Sequence, residues 1–284
     1  MKRRTFLRQN SLAMMALATN QLYAAEFRRK PHFRFQLWRH ATLFVEVNKL
    51  NILVDPMLSA KEAMNPIQNA GNNFRIPMVN LPFDEEALKK KLNTVNAILL
   101  THVHADHWDP KARDLINKEI PIICQPTDAD RLKQQGFKEV IPLTEHMEWK
   151  GIGITRTGGQ HGTGEIGKRM GQVSGYVIAH KRQSLYIAGD TIWCDDVKKV
   201  IEVMNPDHII VNGGGARFLQ GDAITMTTKD VLEVSKATKA SISVVHLETI
   251  NHCLEKRKDF REMITQNQLE KQVMIPDDGG WSKM

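Results

Sequence analysis

The sequence has no uninterrupted apolar run of the roughly 18 to 20 residues that a membrane span needs, so stable bilayer insertion of the mature chain is not expected. It holds only three cysteines, Cys124, Cys194 and Cys253, an odd number without paired spacing, which argues against a disulfide framework. Cys124 reads as core packing, whereas Cys194 and Cys253 each stand near a candidate metal ligand and are candidates for supporting one. No segment repeats at a fixed period, and no dinucleotide or flavin fingerprint is visible. Excess positive charge is also scarcer than it first looks. The formal net charge is +7, but Lys2, Arg3, Arg4 and Arg8 all fall in the first 25 residues with no acid among them. Without them 35 basic residues face 32 acidic ones, a net charge of +3, and nothing in that balance points to nucleic acid.

What is present begins with a leader. Met1 to Arg8 is basic, Ser11 to Leu17 is weakly apolar, Asn20 and Gln21 interrupt it, and Leu22-Tyr-Ala-Ala25 offers small residues for cleavage after Ala24 or Ala25. Arg3-Arg4 followed by Thr5-Phe6-Leu7 has the look of a twin-arginine signal. The expectation is a signal peptide over residues 1–25, recognised by the twin-arginine export machinery, and one domain over 26–284 in a periplasmic or secreted protein. The other reading is an amphipathic N-terminal helix of a cytoplasmic protein. At 284 residues and 42% hydrophobic content, the chain can bury one large core or two closely packed halves.

Everything else is arranged around Ala97-Ile-Leu-Leu-Thr-His-Val-His-Ala-Asp-His-Trp-Asp-Pro110. Ala97 to Leu100 reads as a short buried strand that empties into His102, His104, Asp106 and His107 before Asp109-Pro110 opens a helix. His102 and His104 lie two apart and project to one side of an extended backbone, while Asp106 and His107 follow on the turn and reach a second position. This is a spacing suited to two metal ions rather than a solvated His-rich loop.

Around that loop the chain alternates. Phe33 to Trp38, Thr42 to Val47 and Leu50 to Val54 read as a meander of strands ending at Asp55-Pro56, where Asp55 is placed to support the metal loop without binding metal. Ser59 to Pro82 is a long Asn- and Pro-punctuated segment, read either as a lid or substrate wall or as a surface excursion. Helices are expected at Asp84 to Leu92, Pro110 to about Lys118, Asp128 to Gln135, Asp195 to Met204, Thr228 to Lys239 and Glu255 to about Gln266. Further strands are expected near 120–125, 139–143, 152–157, 173–179, 185–188, 209–212 and 241–245, the second half beginning near Glu148.

Several of these strands end on ligand types. Ile152 to Thr157 runs into the glycine-rich loop around His161, Leu185 to Ala188 ends at Gly189-Asp190-Thr191, and Ser241 to Val245 delivers His246. His252 follows six residues later and competes with His246 as ligand, or serves as a substrate contact, or is a solvent-facing imidazole. His32, His146, His180 and His208 read as surface residues.

His-x-His-x-Asp-His over 102–107 resembles the signature of the metallo-β-lactamase superfamily. With Trp38-Arg-His-Ala-Thr42, Ile52-Leu-Val-Asp-Pro56 and Ala188-Gly-Asp-Thr191 the likeness covers roughly residues 33–276. It resembles most the branch containing ascorbate phosphate lactonase and N-acylphosphatidylethanolamine phospholipase D, whose Gly-His-Ala-Thr-like turn implies that His40 faces the site from the first hairpin, although Arg39 stands where that branch has a glycine. The resemblance implies an α/β fold, a four-layer αβ/βα sandwich of two mixed sheets packed face to face with helices outside. It also implies His102, His104 and His161 at a first metal, Asp106, His107 and His246 at a second, and Asp190 bridging them.

Imidazole and carboxylate donors without thiolate suit two divalent ions, Zn²⁺ first, with Mn²⁺ or Fe²⁺ also admitted. Such a pair activates a shared water as hydroxide and polarises the group under attack, so the expected activity is metal-dependent hydrolysis of an ester-type bond in a small molecule, a lactone, phosphodiester or relative. Asp106 is the expected proton-handling residue. Lys168, Arg169, Arg217 and His252 would make a positive rim for an anionic substrate, or are simply solvated. The alternative function is an exported metal- or ligand-binding protein without catalysis. A redox di-iron protein ranks below both, since that chemistry usually works with a flavin partner.

Overall fold

The computed structural model describes residues 33–283; the expected leader over 1–25 lies outside them. Two sheets of seven strands each, in the orders β14-β1-β2-β3-β4-β5-β6 and β13-β12-β11-β10-β9-β8-β7, form the frame. The first is built from β1 (Phe33–Arg39), β2 (Thr42–Val47), β3 (Leu50–Val54), β4 (Ala97–Leu100), β5 (Ile122–Cys124), β6 (Val140–Pro142) and β14 (Trp281–Lys283). The second contains β7 (His146–Trp149), β8 (Ile152–Thr157), β9 (Gly175–His180), β10 (Gln183–Ile187), β11 (His208–Asn212), β12 (Ser241–Val245) and β13 (Val273–Met274). In each sheet an antiparallel meander gives way to parallel strands, from β3 to β6 and from β10 to β13.

Alternation along the strands sets the layers. Phe33, Phe35 and Leu37 of β1 and Ala97 and Leu99 of β4 meet Ile152, Ile154, Tyr176, Ile178 and Leu185 between the sheets. Ile98 and Leu100 point the other way, onto Leu88 of α1 (Glu85–Leu92), Ala112 of α2 (Pro110–Leu115) and Leu132 of α3 (Ala129–Gln134). On the far sheet, Tyr186, Ile209, Val211 and Val244 pack against α5 (Asp195–Met204), α6 (Thr228–Ala237) and α7 (Arg257–Gln266). The layers are therefore helix, sheet, sheet, helix, the sandwich that the resemblance implied. Central strands buried on both faces need near-continuous apolar runs, which is why β4 reads Ala-Ile-Leu-Leu.

Several boundaries differ from expectation, each for a local reason. α2 stops at Leu115 because Ile116 turns extended and buries its side chain beneath the first sheet. The second half starts two residues earlier than expected, at the edge strand β7, whose exposed His146 and Glu148 masked it. α4 (Gly164–Met170) was hidden by its flanking glycines. β14 pairs with β1 across the whole length of the chain, a contact with no local signal. His208, expected at the surface, is buried: its Nε2 lies 2.9 Å from Ser243 Oγ and its ring meets Phe35 edge-on.

The segment 59–82 is not loose. The fully buried Arg39 guanidinium reaches from the end of β1 and donates to the carbonyls of Met57, Ser59 and Val79, while Asn251 and Asn72 bind its middle to the loop after β12. Met57, Ile76 and Ile250 form a small apolar cluster beneath it. It is a fixed wall.

Candidate metal centre

The metal loop is held at both ends. β4 delivers Thr101 and His102, and Asp109 caps α2 by accepting from the Ala112 amide at 2.7 Å while its other oxygen accepts from the Ser59 amide at 2.6 Å. Between these anchors the loop's donors meet side chains from other elements. His102, His104 and His161 form one set, and His40, Asp106, His107 and His246 another, while His102, His107 and Asp190 form a third group that overlaps the first two, all donor atoms of each lying within 4.8 Å of one another. His102 Nε2 and His104 Nδ1 are 2.9 Å apart, so the pair presents one nitrogen of each kind toward a common point.

Asp190 stands between the sets. Its Oδ2 lies 3.2 Å from His107 Nε2, 3.6 Å from His161 Nε2 and 4.0 Å from His102 Nε2, while Oδ1 lies 3.4 Å from His246 Nε2. Gly189 at φ +69° makes the turn that aims it, and a Cβ there would come within 2.6 Å of the Ser174 carbonyl. Asn212, at the tip of β11, donates to Asp190 Oδ1 at 2.7 Å.

Most imidazoles have their rear nitrogen engaged. His107 Nδ1 is 2.8 Å from Asp55 Oδ2, His161 Nδ1 is 2.8 Å from the Ile224 carbonyl, His102 Nδ1 is 3.0 Å from Thr101 Oγ1, and His246 Nδ1 is 3.6 Å from Cys253 Sγ. Their forward atoms are the ones left over: the buried Nε2 atoms of His107 and His246 have no hydrogen-bond partner although carboxylate oxygens stand nearby. Ring nitrogens aimed at a shared space, close to carboxylate oxygens yet hydrogen-bonded to none, are what a cation completes once their protons leave. The donor set fits a metal.

Charge supports the same reading. Burial raises the Asp106 and Asp190 carboxyls, but the surrounding imidazoles, His107 foremost, outweigh it and hold both well below the usual range. Burial lowers His107 and His246, and there the carboxylates led by Asp190 win and hold both well above the ordinary value. In the metal-free chain these imidazoles carry the positive charge that the carboxylates demand, and a bound cation takes over that role as their protons leave.

His40 is brought to the site: it is buried, its Nε2 lies 3.2 Å from Asp106 Oδ2, and its ring lies 3.7 Å from that of His246. Burial, reinforced by His246, pushes it down to about 3, so it is neutral. Its φ of +58° joins +42° at Asp55 and +66° at His246, left-handed backbone at three positions that hold or support the centre. His252 is buried against the Phe218 ring at 5.3 Å and joins neither donor set. Arg217 is exposed, and its backbone amide donates to the His252 carbonyl. Lys168 pairs with Glu165 on the exposed face of α4. Asn212, Thr101 and the Ile224 carbonyl were not picked out beforehand; Asn212 ends a strand beside a glycine, a signal that could have found it, and the carbonyl has no sequence signal at all.

Residues 50–246 match the family model of the Beta-lactamase superfamily domain, more than half of the chain. The chain belongs to this superfamily. Among relatives of this superfamily member, the UPF0173 protein YddR of Bacillus subtilis is 33% identical over 246 residues, spanning 85% of this chain and 96% of the relative. The structure of a possible metal-dependent hydrolase from Veillonella parvula has a TM-score of 0.85 at 33% identity, covering 89% of this chain and 100% of that one. An isothiocyanate hydrolase from Delia radicum gut bacteria has a TM-score of 0.83 at 33% identity, covering 88% and 99%. Further UPF0173 relatives are named metal-dependent hydrolases. This β-lactamase superfamily member is accordingly a metal-dependent hydrolase.

Proposed function

We propose that the centre holds two divalent cations, Zn²⁺ first among them with Mn²⁺ or Fe²⁺ as the other candidates, and that the chain hydrolyses an ester-type bond in a lactone, phosphodiester or related small molecule. The observation that carries this reading is Asp190, whose two oxygens face histidines of both donor sets. Held by these two sets and Asp190, a cation pair would supply an activated water and a polarised electrophile. The protein supplies the rest. Asp106 retains 9% side-chain exposure against 3% for Asp190, so its carboxylate borders the open side. Held ionised, it takes the proton released by the attacking water and returns it to the leaving oxygen. Neutral His40 keeps Asp106 in orientation by donating from Nε2.

A second reading is favoured by the likeness to isothiocyanate hydrolase, 33% identical over 88% of the chain. Addition of water to the central carbon of an isothiocyanate makes the same demands on an electrophile-binding cation and a proton carrier. The non-catalytic binding protein is disfavoured by relatives named hydrolases. The test is turnover by the purified chain, loaded separately with Zn²⁺, Mn²⁺ and Fe²⁺, on lactones, phosphodiesters, phosphomonoesters, thioesters and isothiocyanates, together with metal analysis. Near two ions per chain and turnover of an ester-type substrate are expected; metal content near zero after gentle purification would refute the dinuclear reading, and turnover of isothiocyanates alone would replace the ester.

The leader expected over residues 1–25 extends the proposal to twin-arginine export and a periplasmic or secreted hydrolase. Cell fractionation of the Arg3→Lys/Arg4→Lys variant tests this: retention in the cytoplasm is expected, and unchanged export would exclude the twin-arginine route.

A further inference from the structure

A groove of about 490 Å³ runs between the 59–82 wall and the helices α2 and α3, with Ala105 of the metal loop in its lining. Ala105 is the exposed residue between His104 and Asp106, so the groove borders the metal centre. Three arginines are among its lining residues, Arg75 from the wall, Arg113 from α2 and Arg131 from α3, and no aspartate or glutamate is. Arg75 is fixed in orientation by donating to the Glu62 and Ala63 carbonyls and to Asn65 Oδ1 at 2.7, 3.1 and 2.8 Å. Among the described residues, neither Arg113 nor Arg131 has an ion-pair or side-chain hydrogen-bond partner.

Lys89, Lys90, Lys168, Lys198 and Lys236 are paired with carboxylates one helical turn away, while other exposed cations such as Arg169 and Lys229 stand singly among the described residues. What distinguishes Arg113 and Arg131 is that they share one concavity with Arg75. Three like charges turned into one concavity repel one another, and they favour an anion that all of them can reach. Planar guanidinium forks suit carboxylate, sulfonate and phosphate oxygens. Met64, Ile67, Ile76 and Trp108 make the remaining walls apolar, so the fitting ligand has a hydrocarbon body as well as a charged head.

We propose that this groove binds the anionic end of an apolar organic acid, a carboxylate, sulfonate or phosphate, beside the metal loop. As a substrate subsite it rests on the hydrolytic reading above, while the binding itself does not. It shifts the source of anion selectivity away from Lys168, Arg169 and Arg217, where the sequence suggested it, to the groove beside Ala105.

The probes are 1-anilinonaphthalene-8-sulfonate and its neutral counterpart N-phenyl-1-naphthylamine, titrated by fluorescence into the full chain with and without Zn²⁺. Arg113→Gln/Arg131→Gln is expected to weaken sulfonate binding at least about tenfold and to leave the neutral probe within about twofold. Arg131→Glu alone, at an exposed position, is expected to act in the same direction, and circular dichroism checks that the fold is kept when half-buried Arg113 is changed. Sulfonate affinity unchanged in these variants, or an equal loss for the neutral probe, overturns the proposal. If no substrate is turned over but the sulfonate site behaves as expected, the groove stands and the hydrolytic reading fails. If an ester is turned over while the sulfonate affinity ignores both variants, hydrolysis stands and the groove is refuted.

Discussion

Asp55 touches no proposed cation position, yet its replacement by asparagine should disturb both. Its Oδ1 accepts from the Thr101 amide at 2.8 Å, and its Oδ2 accepts from Thr101 Oγ1 at 2.6 Å and from His107 Nδ1 at 2.8 Å. In the Asp55→Asn variant the amide oxygen must stay on the Thr101 N–H, because the reverse orientation sets donor against donor. The new NH₂ then faces His107 Nδ1 and Thr101 Oγ1. His107 can bond to it only by moving its own proton to Nε2, the atom that would meet the metal. The Thr101 hydroxyl, now accepting, is free to donate to His102 Nδ1 at 3.0 Å, which puts the same pressure on the first donor set. Loss of a group supporting a ligand in this way weakens metal binding by about 10- to 100-fold, or ~1.4 to 2.7 kcal/mol. Competition of the variant and parent against a chelator of known affinity reads this directly, with circular dichroism to show that the fold survives. At limiting free metal, bound stoichiometry is expected to fall most at the set containing His107. Affinity in Asp55→Asn within about twofold of the parent would refute the tautomer argument.

Other outcomes follow from the same geometry. Asp106→Ala or His104→Ala should lower turnover of any cleaved substrate by at least about a hundredfold while leaving the circular dichroism spectrum intact, and wild-type turnover in either would show that the centre is misassigned. His208 is pushed down to about 4 by burial, so below pH 6.5 the unfolded chain takes a proton that the folded one refuses. Its neutral form therefore contributes stability at pH 7 that is lost as pH falls from about 6.5 to 4, up to about 3 kcal/mol, and His208→Gln should show a smaller fall in Tm over that range than the parent. Arg39→Met removes the donors to the Met57, Ser59 and Val79 carbonyls and should destabilise by more than about 2 kcal/mol, with protease cleavage appearing first within 57–79; cleavage elsewhere would count against the wall.

The metal loop was legible because its chemistry is local: a buried strand, four donor side chains and a capped helix follow one another within 97–110. His161, Asp190 and His246 were legible for a related reason, each being a ligand type at the end of a predicted strand. Period-two patterns and helix caps marked the individual strands and helices, while their arrangement as a four-layer sandwich was implied by the family resemblance that the 102–107 motif carries. What stayed hidden depends on distant pairing or on backbone atoms. Arg39 reads as a surface cation by type, and only the folded chain shows that it lies at 0% exposure among carbonyls. His208 reads as a polar residue opening a strand, and its burial comes from Phe35 in the other sheet. The arginine groove joins residues 75, 113 and 131, which no spacing rule connects.

The last strand carries a consequence for how the protein is made. Trp281, Ser282 and Lys283 lie in register with Gln36, Phe35 and Arg34, and Arg34 covers the Trp281 ring at 4.2 Å. Among the described strands β1 is thus made well before β14, the strand that pairs with its outer edge. Nascent or truncated chains lacking residues 281–283 carry an open β edge next to Phe33 and Phe35, a template for self-association, so clipping at the C-terminus should show up as aggregation sooner than as lost chemistry.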